Sequence, residues 1–190
     1  MKFITVASIA FNAMFLSGIA VGGTLVIQEE IAEKKQVQID ISTSVAIALR
    51  QEQIQCMATN IYFETRSVSL ADAMSVSDVV LNRVASKNYP NSVCEVVYDS
   101  VLVNGKPAKN KCQFSWYCDG MGDNPREGRT WESAQELAKK VLINYHDKAL
   151  IDITDGATHY HANWMETYPK WSKKKKIMAS IDRHIFYKKH

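Results

Sequence analysis

The sequence predicts an α+β protein: a mainly helical domain with a small antiparallel sheet, preceded by an apolar N-terminal helix. Apolar residues recur with helical spacing in three segments between Ile54 and Tyr145. Apolar and polar residues alternate near the C-terminus, over residues 157–163 and 181–187, as they do in half-buried strands. Hydrophobic residues make up 46% of the chain and charged residues 23%, and both fractions are ordinary for a globular protein.

The N-terminal segment is long enough to cross a membrane. Residues 3–28 carry no charged side chain, and a helix of about 25 residues rises about 37 Å, at ~1.5 Å per residue. Lys2 precedes this segment and acidic residues follow it, so we expect the N-terminus to stay inside and the rest to be exported. The segment is either a cleaved signal peptide or an uncleaved signal anchor. We therefore divide the chain into a signal peptide or anchor (1–27), a polar stalk (28–52) and a globular domain (53–190).

The first helix of that domain is predicted to end near Glu64. The residues before it follow the i, i+3, i+4, i+7, i+8 spacing of one helix face: Ile54, Met57, Ala58, Ile61 and Tyr62. Aromatic neighbours would partly desolvate the carboxyl group of Glu64. Desolvation raises a carboxyl pKa, which suits a general acid working near neutral pH. The simpler alternative is a surface glutamate paired with Arg66.

Three more helices follow from capping signals and periodicity. Ser69 and Ser92 each begin a Ser-x-x-acid capping box, which predicts helices over residues 70–84 and 93–98. A long amphipathic helix is predicted from Thr130 to Tyr145.

The remaining segments are predicted as loops and strands. Asn-Gly and Pro within residues 103–107 indicate an exposed loop. Phe114 and Trp116 alternate with polar residues, which predicts a strand or an extended wall of a cleft. The two alternating segments near the C-terminus are predicted to pair with each other, with an aromatic-rich loop over 164–171 between them.

The cysteines are even in number and all lie within the globular domain: Cys56, Cys94, Cys112 and Cys118. Together with export, they predict two disulfides, and the sequence leaves the three possible connectivities open. A zinc site and free buried thiols are the alternatives, although no Cys-x-x-Cys pair is present to favour zinc.

The histidines offer a second metal hypothesis. His159 and His161 alternate along a predicted strand and so share a face, and His184 could complete a three-histidine zinc site. Such a site would make the protein a zinc-dependent amidase. No His-Glu-x-x-His signature supports it, so we expect neither a metal nor a cofactor.

Six blocks of sequence, in this order, carry a resemblance to one family. The first block joins Cys56-Met-Ala to Tyr62-Phe63-Glu64-x-Arg66. The other five are Val79–Val84, Tyr89–Tyr98, Cys112–Gly120, Gly156–Ala162 and His184–Tyr187. The chain resembles the SleB/CwlJ-type cell-wall hydrolases over residues 54–187. Its N-terminal segment is also similar to those of signal-arrest-release phage endolysins. After Glu64 the chain departs from the family's Glu-Ala-Arg-Gly-Glu block, because the glycine and the second glutamate are missing.

The resemblance implies a lysozyme-like fold and cleavage of peptidoglycan glycan strands, with Glu64 as the catalytic acid. It also implies a substrate cleft, for which the candidate residues are Tyr62, Arg66, Asn82, Arg83, Ser115, Trp116, Tyr160 and His161. A glycosidase usually needs two carboxylates, and the candidates for a second one are Asp72, Asp78 and Asp119. A lytic transglycosylase needs only one, because the carboxylate left after proton donation can take a proton from the sugar's own 6-hydroxyl.

These observations predict a monomeric, extracytoplasmic enzyme of lysis or wall remodelling, possessing a membrane tether and acting on peptidoglycan. Residues 170–189 hold eight Lys or Arg and one acid, which suits an anionic wall polymer or a solvated tail. No nucleic-acid motif accompanies the charge, so we expect no nucleic-acid partner. The competing function is a non-catalytic, membrane-tethered module that binds the wall.

Overall fold

The computed structural model describes residues 22–65 and 69–189. The chain divides into two compact units, residues 1–45 and 46–190. The described part of the first unit belongs to helix α1 (Gly22–Thr65), and its side chains from Gln28 onward are exposed. Among the described residues, no helix is both long and apolar enough to cross a bilayer. The predicted signal peptide or anchor lies mostly outside the described residues, and the division of the chain into three segments stays a prediction.

Three helices in the second unit are close to their predicted positions: α2 (Leu70–Val84), α3 (Val93–Val97) and α4 (Arg129–His146). Both serine N-caps are confirmed, although the acidic side chains do not bond the serine backbone: Asp72 contacts His184, and Glu95 contacts the Ser92 hydroxyl. Ser69 Oγ accepts a hydrogen bond from the Asp72 N–H at 3.1 Å, and Ser92 Oγ accepts one from the Glu95 N–H at 3.3 Å. These bonds satisfy backbone donors that have no partner within the first turn of a helix, so the start of each helix is encoded locally.

The main hydrophobic core joins the end of α1 to α2, α3 and α4. Its fully buried members come from every one of these helices, and include Met57, Val80, Val97 and Ala138. Trp116 closes the core from the loop side, where its Nε1 donates a 3.0 Å hydrogen bond to Asn60 Oδ1. The core therefore holds the last turns of α1, and Glu64 with them, against the rest of the unit.

The strands form two antiparallel sheets. β1 (Ser100–Val103) and β2 (Lys106–Cys112) make a hairpin. β3 (His159–Ala162), β4 (Lys175–Ile181) and β5 (His184–Lys189) make a three-stranded sheet in the order β3-β5-β4. The prediction of a mainly helical protein with a small antiparallel sheet is confirmed, including the pairing of the two predicted C-terminal strands.

The exposed loop predicted over 103–107 is present as the tight turn of the β1–β2 hairpin, where Asn104 and Gly105 both have positive φ (52° and 74°), but the flanking strands were not predicted. Two other local predictions differ from the structure. The strand predicted around Trp116 is a 3₁₀ turn, Ser115–Cys118, with Trp116 buried. The last predicted strand is two elements, because Asp182, at φ 44°, turns the chain between β4 and β5.

Two disulfides are present, as predicted, and the connectivity is Cys56–Cys94 and Cys112–Cys118. The first joins α1 to α3, eight residues before Glu64 in the sequence. The second closes the segment that contains Ser115 and Trp116, and this closure accounts for the compact turn found where an extended segment was predicted.

Candidate active site

Glu64 lies in the last turn of α1 and is half-buried. Its Oε2 accepts a 2.8 Å hydrogen bond from the Tyr160 hydroxyl. Burial raises the pKa of Glu64; the hydrogen bond from Tyr160 and the charge of Arg83 act against this rise without cancelling it. The carboxyl group therefore keeps its proton to a higher pH than an exposed glutamate does, which is the property a general acid needs.

Tyr160 reaches Glu64 from the central part of β3, where it lies opposite Phe186 of β5. Burial and the neighbouring Glu64 carboxyl raise the pKa of Tyr160 well above its ordinary value. The phenol therefore remains a hydrogen-bond donor, able to hold the Glu64 carboxylate once that group has lost its proton.

Two adjoining cavities meet near Glu64. One, of ≈ 330 Å³, is lined by Glu64 together with Ser115, Trp164, Arg183 and His184, among others. The second, of ≈ 600 Å³, is lined by Tyr62, Met121, Asn124 and Arg126, among others. Both share one wall, formed by Phe63, Trp116 and Asp119.

The shared wall is aromatic, since the rings of Phe63 and Trp116 stack with centroids 4.8 Å apart and planes within 17°. Trp164 lies at the edge of the smaller cavity with 73% of its surface exposed. An exposed aromatic ring beside polar groups is a suitable platform for a sugar ring. The two cavities together suit an extended ligand that passes the Glu64 carboxyl group.

Comparison with known proteins assigns the chain to a family. The model of the family described as Cell Wall Hydrolase matches residues 67–187, more than half of the chain. The chain belongs to the cell wall hydrolase family. The family inferred from the six sequence blocks is thereby confirmed.

Relatives of this cell wall hydrolase include two spore cortex-lytic enzymes. That of Bacillus cereus is 27% identical over 146 residues, covering 77% of this chain and 48% of the relative. That of Halalkalibacterium halodurans is 22% identical over 161 residues, covering 82% of this chain and 40% of the relative. The chain spans about half, or less, of the length of the curated relatives it matches.

Two solved structures are similar in fold. The catalytic domain of the Bacillus cereus SleB protein aligns with a TM-score of 0.51 at 27% identity, covering 73% of this chain and 91% of that one. The catalytic domain of the germination-specific lytic transglycosylase SleB from Bacillus anthracis aligns with a TM-score of 0.51 at 26% identity, covering 72% and 93%. The described fold of this cell wall hydrolase is thus similar to that of a SleB catalytic domain.

The residues that the sequence analysis proposed for the cleft have different positions in the structure. Tyr62, Ser115 and Trp116 line the cavities, and Tyr160 binds Glu64 directly. Arg66 lies outside the described residues.

Asn82 and Arg83 lie behind the cleft and hold the segment that leads into β3. The Asn82 amide donates to the Ala157 carbonyl at 3.1 Å, and Arg83 Nε donates to the Thr158 carbonyl at 2.9 Å. Arg83 is buried, with its guanidinium carbon over the rings of Tyr89 and Phe114. Both residues act through the chain segment that positions Tyr160.

The three histidines do not converge. His159 and His161 share one face of the sheet, where both rings lie near Trp171, at 5.5 and 5.7 Å between centroids. His161 also bonds the Tyr187 hydroxyl at 2.8 Å and so points away from Glu64. His184 lies on the other face, beside Tyr160, because β5 pairs His184 with Ala162. The three histidines therefore do not form the site that the zinc alternative requires, and no cluster of potential metal ligands occurs in the described part of the chain.

The candidate second carboxylates have different surroundings. Asp119 lines both cavities, and its Oδ1 accepts a bond from the Met121 N–H at 2.7 Å. Asp78 is buried and accepts the Ile153 N–H at 2.9 Å, away from the cleft. Asp72 is fully buried and its Oδ1 lies 2.7 Å from His184 Nδ1.

Sequence reasoning did not identify Trp164, Arg183 or His184 as cleft residues. Strand alternation could have placed His184 on the face of the sheet opposite to His161, but only once the β3–β5 register is known. That register depends on a turn at Asp182, where neither a glycine nor a proline marks the turn.

Proposed function

We propose that this protein cleaves the glycan strands of peptidoglycan outside the cytoplasm, as a lytic transglycosylase with Glu64 as the general acid. The observation that carries the proposal is a half-buried carboxyl group of raised pKa that lines the smaller of two adjoining cavities. Membership of the cell wall hydrolase family supports the substrate class, and similarity to a domain described as a lytic transglycosylase supports the reaction. The lysozyme-like character of the fold is part of the same proposal.

The proposed reaction begins when protonated Glu64 donates to the oxygen that bridges two sugars. The bond from that oxygen to the anomeric carbon breaks, and the resulting Glu64 carboxylate is held by the Tyr160 hydroxyl. The 6-hydroxyl of the same sugar then attacks the anomeric carbon and gives its proton to the enzyme. The products are a free 4-hydroxyl and a 1,6-anhydro sugar, and no water is consumed.

The proposal also covers the remaining contacts with substrate. Trp164 stacks on a sugar face, Phe63, backed by the buried Trp116, contacts a second sugar, and the polar groups of Ser115 and Arg183 bind sugar or peptide substituents. The two disulfides agree with an extracytoplasmic location. On the basis of the sequence alone, the proposal also includes a monomeric protein that its N-terminal segment tethers to the membrane.

The test is product analysis by mass spectrometry after incubation with purified peptidoglycan. We expect anhydro-sugar ends from the wild type. We also expect Glu64→Gln to reduce cleavage on the order of 10³-fold, within the ~10²–10⁴ typical of a lost general acid. Glu136→Gln, an exposed glutamate on α4, is the matched control and should cleave at the wild-type rate.

Two results would contradict parts of this proposal. Reducing ends alone would mean hydrolysis and would direct attention to Asp119 as a second carboxylate. Binding to the wall without any cleavage by the wild type would favour the non-catalytic module.

A further inference from the structure

The cavity that contains Glu64 holds a second titratable group with a fixed orientation. His184 begins β5, lines this cavity, and leaves 12% of its side chain exposed. Its ring lies 5.0 Å from that of Tyr160, the residue that bonds Glu64. His184 and Glu64 therefore border the same space from different elements, one from the sheet and one from α1.

The imidazole is held by a carboxylate that has no other described role. Asp72 comes from the first turn of α2, is fully buried, and places Oδ1 2.7 Å from His184 Nδ1. Its Oδ2 has no hydrogen-bond partner among the described residues. Burying a carboxylate with one unpaired oxygen costs free energy. The hydrogen bond to His184 is the side-chain contact that offsets part of this cost.

This contact determines which ring nitrogen can accept a proton. A hydrogen bond from Nδ1–H to a carboxylate fixes the tautomer in which Nε2 carries the free lone pair. Nε2 is thus the nitrogen left to the cavity. A buried carboxylate that orients an imidazole in this way is the arrangement by which other enzymes prepare a general base.

We propose that the Asp72–His184 pair is the proton acceptor of the reaction, with His184 as the catalytic base and Asp72 as its positioning residue. His184 Nε2 takes the proton from the 6-hydroxyl as its oxygen bonds to the anomeric carbon, while Glu64 has given its own proton to the leaving oxygen. Transfer of a proton from His184 to Glu64 then restores both groups. The step balances without water or a co-reactant, and it rests on the proposed function.

The pair also explains how Glu64 works without a second carboxylate of the usual kind. When the acid and the base are separate residues, Glu64 only has to hold a proton before the reaction and donate it. His184 accepts the proton of the 6-hydroxyl, so Glu64 does not also have to be a strong base. Its raised pKa suits the first requirement.

The experiment compares kcat, KM and the pH profile on a soluble glycan fragment of peptidoglycan for the wild type, His184→Gln, His184→Gly and Asp72→Asn. We expect His184→Gln to lower kcat about 10²-fold or more with a smaller change in KM, and to remove the rising limb of the pH profile. Asp72→Asn should give a smaller loss, because the imidazole is still present. His159→Gln, on the opposite face of the sheet, is the matched control and should retain wild-type kcat.

Chemical rescue separates a catalytic role from a structural one. Added imidazole should restore part of the activity of His184→Gly, whereas a residue that only pins β5 to α2 would not be replaced by a free base. Near wild-type kcat in a folded His184→Gln would overturn the proposal, as would a loss with an unchanged pH profile and no rescue. Either result leaves the glycan-cleaving function standing if the wild type still forms anhydro products, so the two proposals fail separately.

Discussion

At the scale of single residues, Asp78 shows how burial couples stability to pH. Burial, with the nearby Asp152 carboxylate, raises the pKa of Asp78 from 3.8 to about 7, although the Ile153 N–H acts against the rise. Burial would raise the pKa of Asp152 as well, but hydrogen bonds from Thr154, Asn82 and Gly156 outweigh it and lower that pKa. Of these two neighbouring carboxyl groups, the buried Asp78 therefore keeps its proton up to about pH 7, whereas the half-buried Asp152 is ionised.

The shift at Asp78 predicts a pH-dependent stability. A carboxyl group whose pKa is higher in the folded state contributes stability that is complete below its unfolded pKa and is lost as pH rises through about 7. Each pKa unit corresponds to about 1.4 kcal/mol. We therefore expect Asp78→Asn, which keeps an acceptor for the Ile153 N–H, to gain free energy of unfolding relative to the wild type between pH 4 and pH 8.

Urea unfolding of both proteins at several pH values measures this difference. A constant difference across that range would contradict the raised pKa. Asp155→Asn, an exposed aspartate in the same loop, provides the control for a change of charge alone.

At the scale of elements, β4 and β5 bring like charges together. Lys175 lies opposite Lys189, and Lys176 lies opposite Lys188. Like charges directly opposite each other on neighbouring strands are unfavourable, whereas an opposite-charge pair contributes roughly 0.2–1 kcal/mol. The hairpin therefore forms in spite of its lysines, through buried residues such as Phe186 and Tyr187.

Reversing one of these charges should stabilise the protein. We expect Lys176→Glu to raise the melting temperature measured at low salt, and the gain to shrink in 1 M salt, where surface charges are screened. Lys87→Glu changes the net charge equally at an exposed turn and should not produce the same gain. Equal effects of the two variants would mean that net charge, rather than the cross-strand pair, determines the result.

The same elements show what a sequence can predict. Helices α2, α3 and α4 carry their own signals, in the caps at Ser69 and Ser92 and in apolar periodicity, so they could be located from residues close in sequence. β4 carries lysines where a strand would show apolar alternation, and it exists because β5 pairs with it. The proposal of Glu64 rests on residues next to it in sequence and on the family resemblance, whereas the Asp72–His184 pair joins residues 112 positions apart and depends on packing.

At the scale of the whole molecule, the two disulfides constrain regions of different size. Cys56–Cys94 closes a separation of 38 residues, and Cys112–Cys118 closes one of 6. In the chain-entropy model, closures of these lengths are worth about 4 and about 2 kcal/mol. Both are large beside the ~5–15 kcal/mol by which a domain is usually stable.

The disulfide that closes the shorter stretch of chain is the one that lies at the cleft. Cys56 lies about two helical turns before Glu64 and joins helices in the core. Cys112–Cys118 encloses Ser115 and Trp116, which border the cavity containing Glu64. The larger closure thus mainly affects the stability of the whole domain, by restricting the unfolded chain, and the smaller one mainly affects the wall of the cleft.

We therefore expect the two disulfides to separate stability from activity. Replacing Cys56 and Cys94 by serine should cause the larger fall in melting temperature. Replacing Cys112 and Cys118 by serine should cause the larger fall in glycan cleavage at a temperature where both variants are folded, because the wall formed by Ser115 and Trp116 loses its closure.

Calorimetry and product analysis on the two double variants measure these effects, and thiol titration of the denatured, unreduced wild type should find no free thiols. Four reactive thiols, or the same order of loss in both measurements, would contradict the roles assigned to the two bridges.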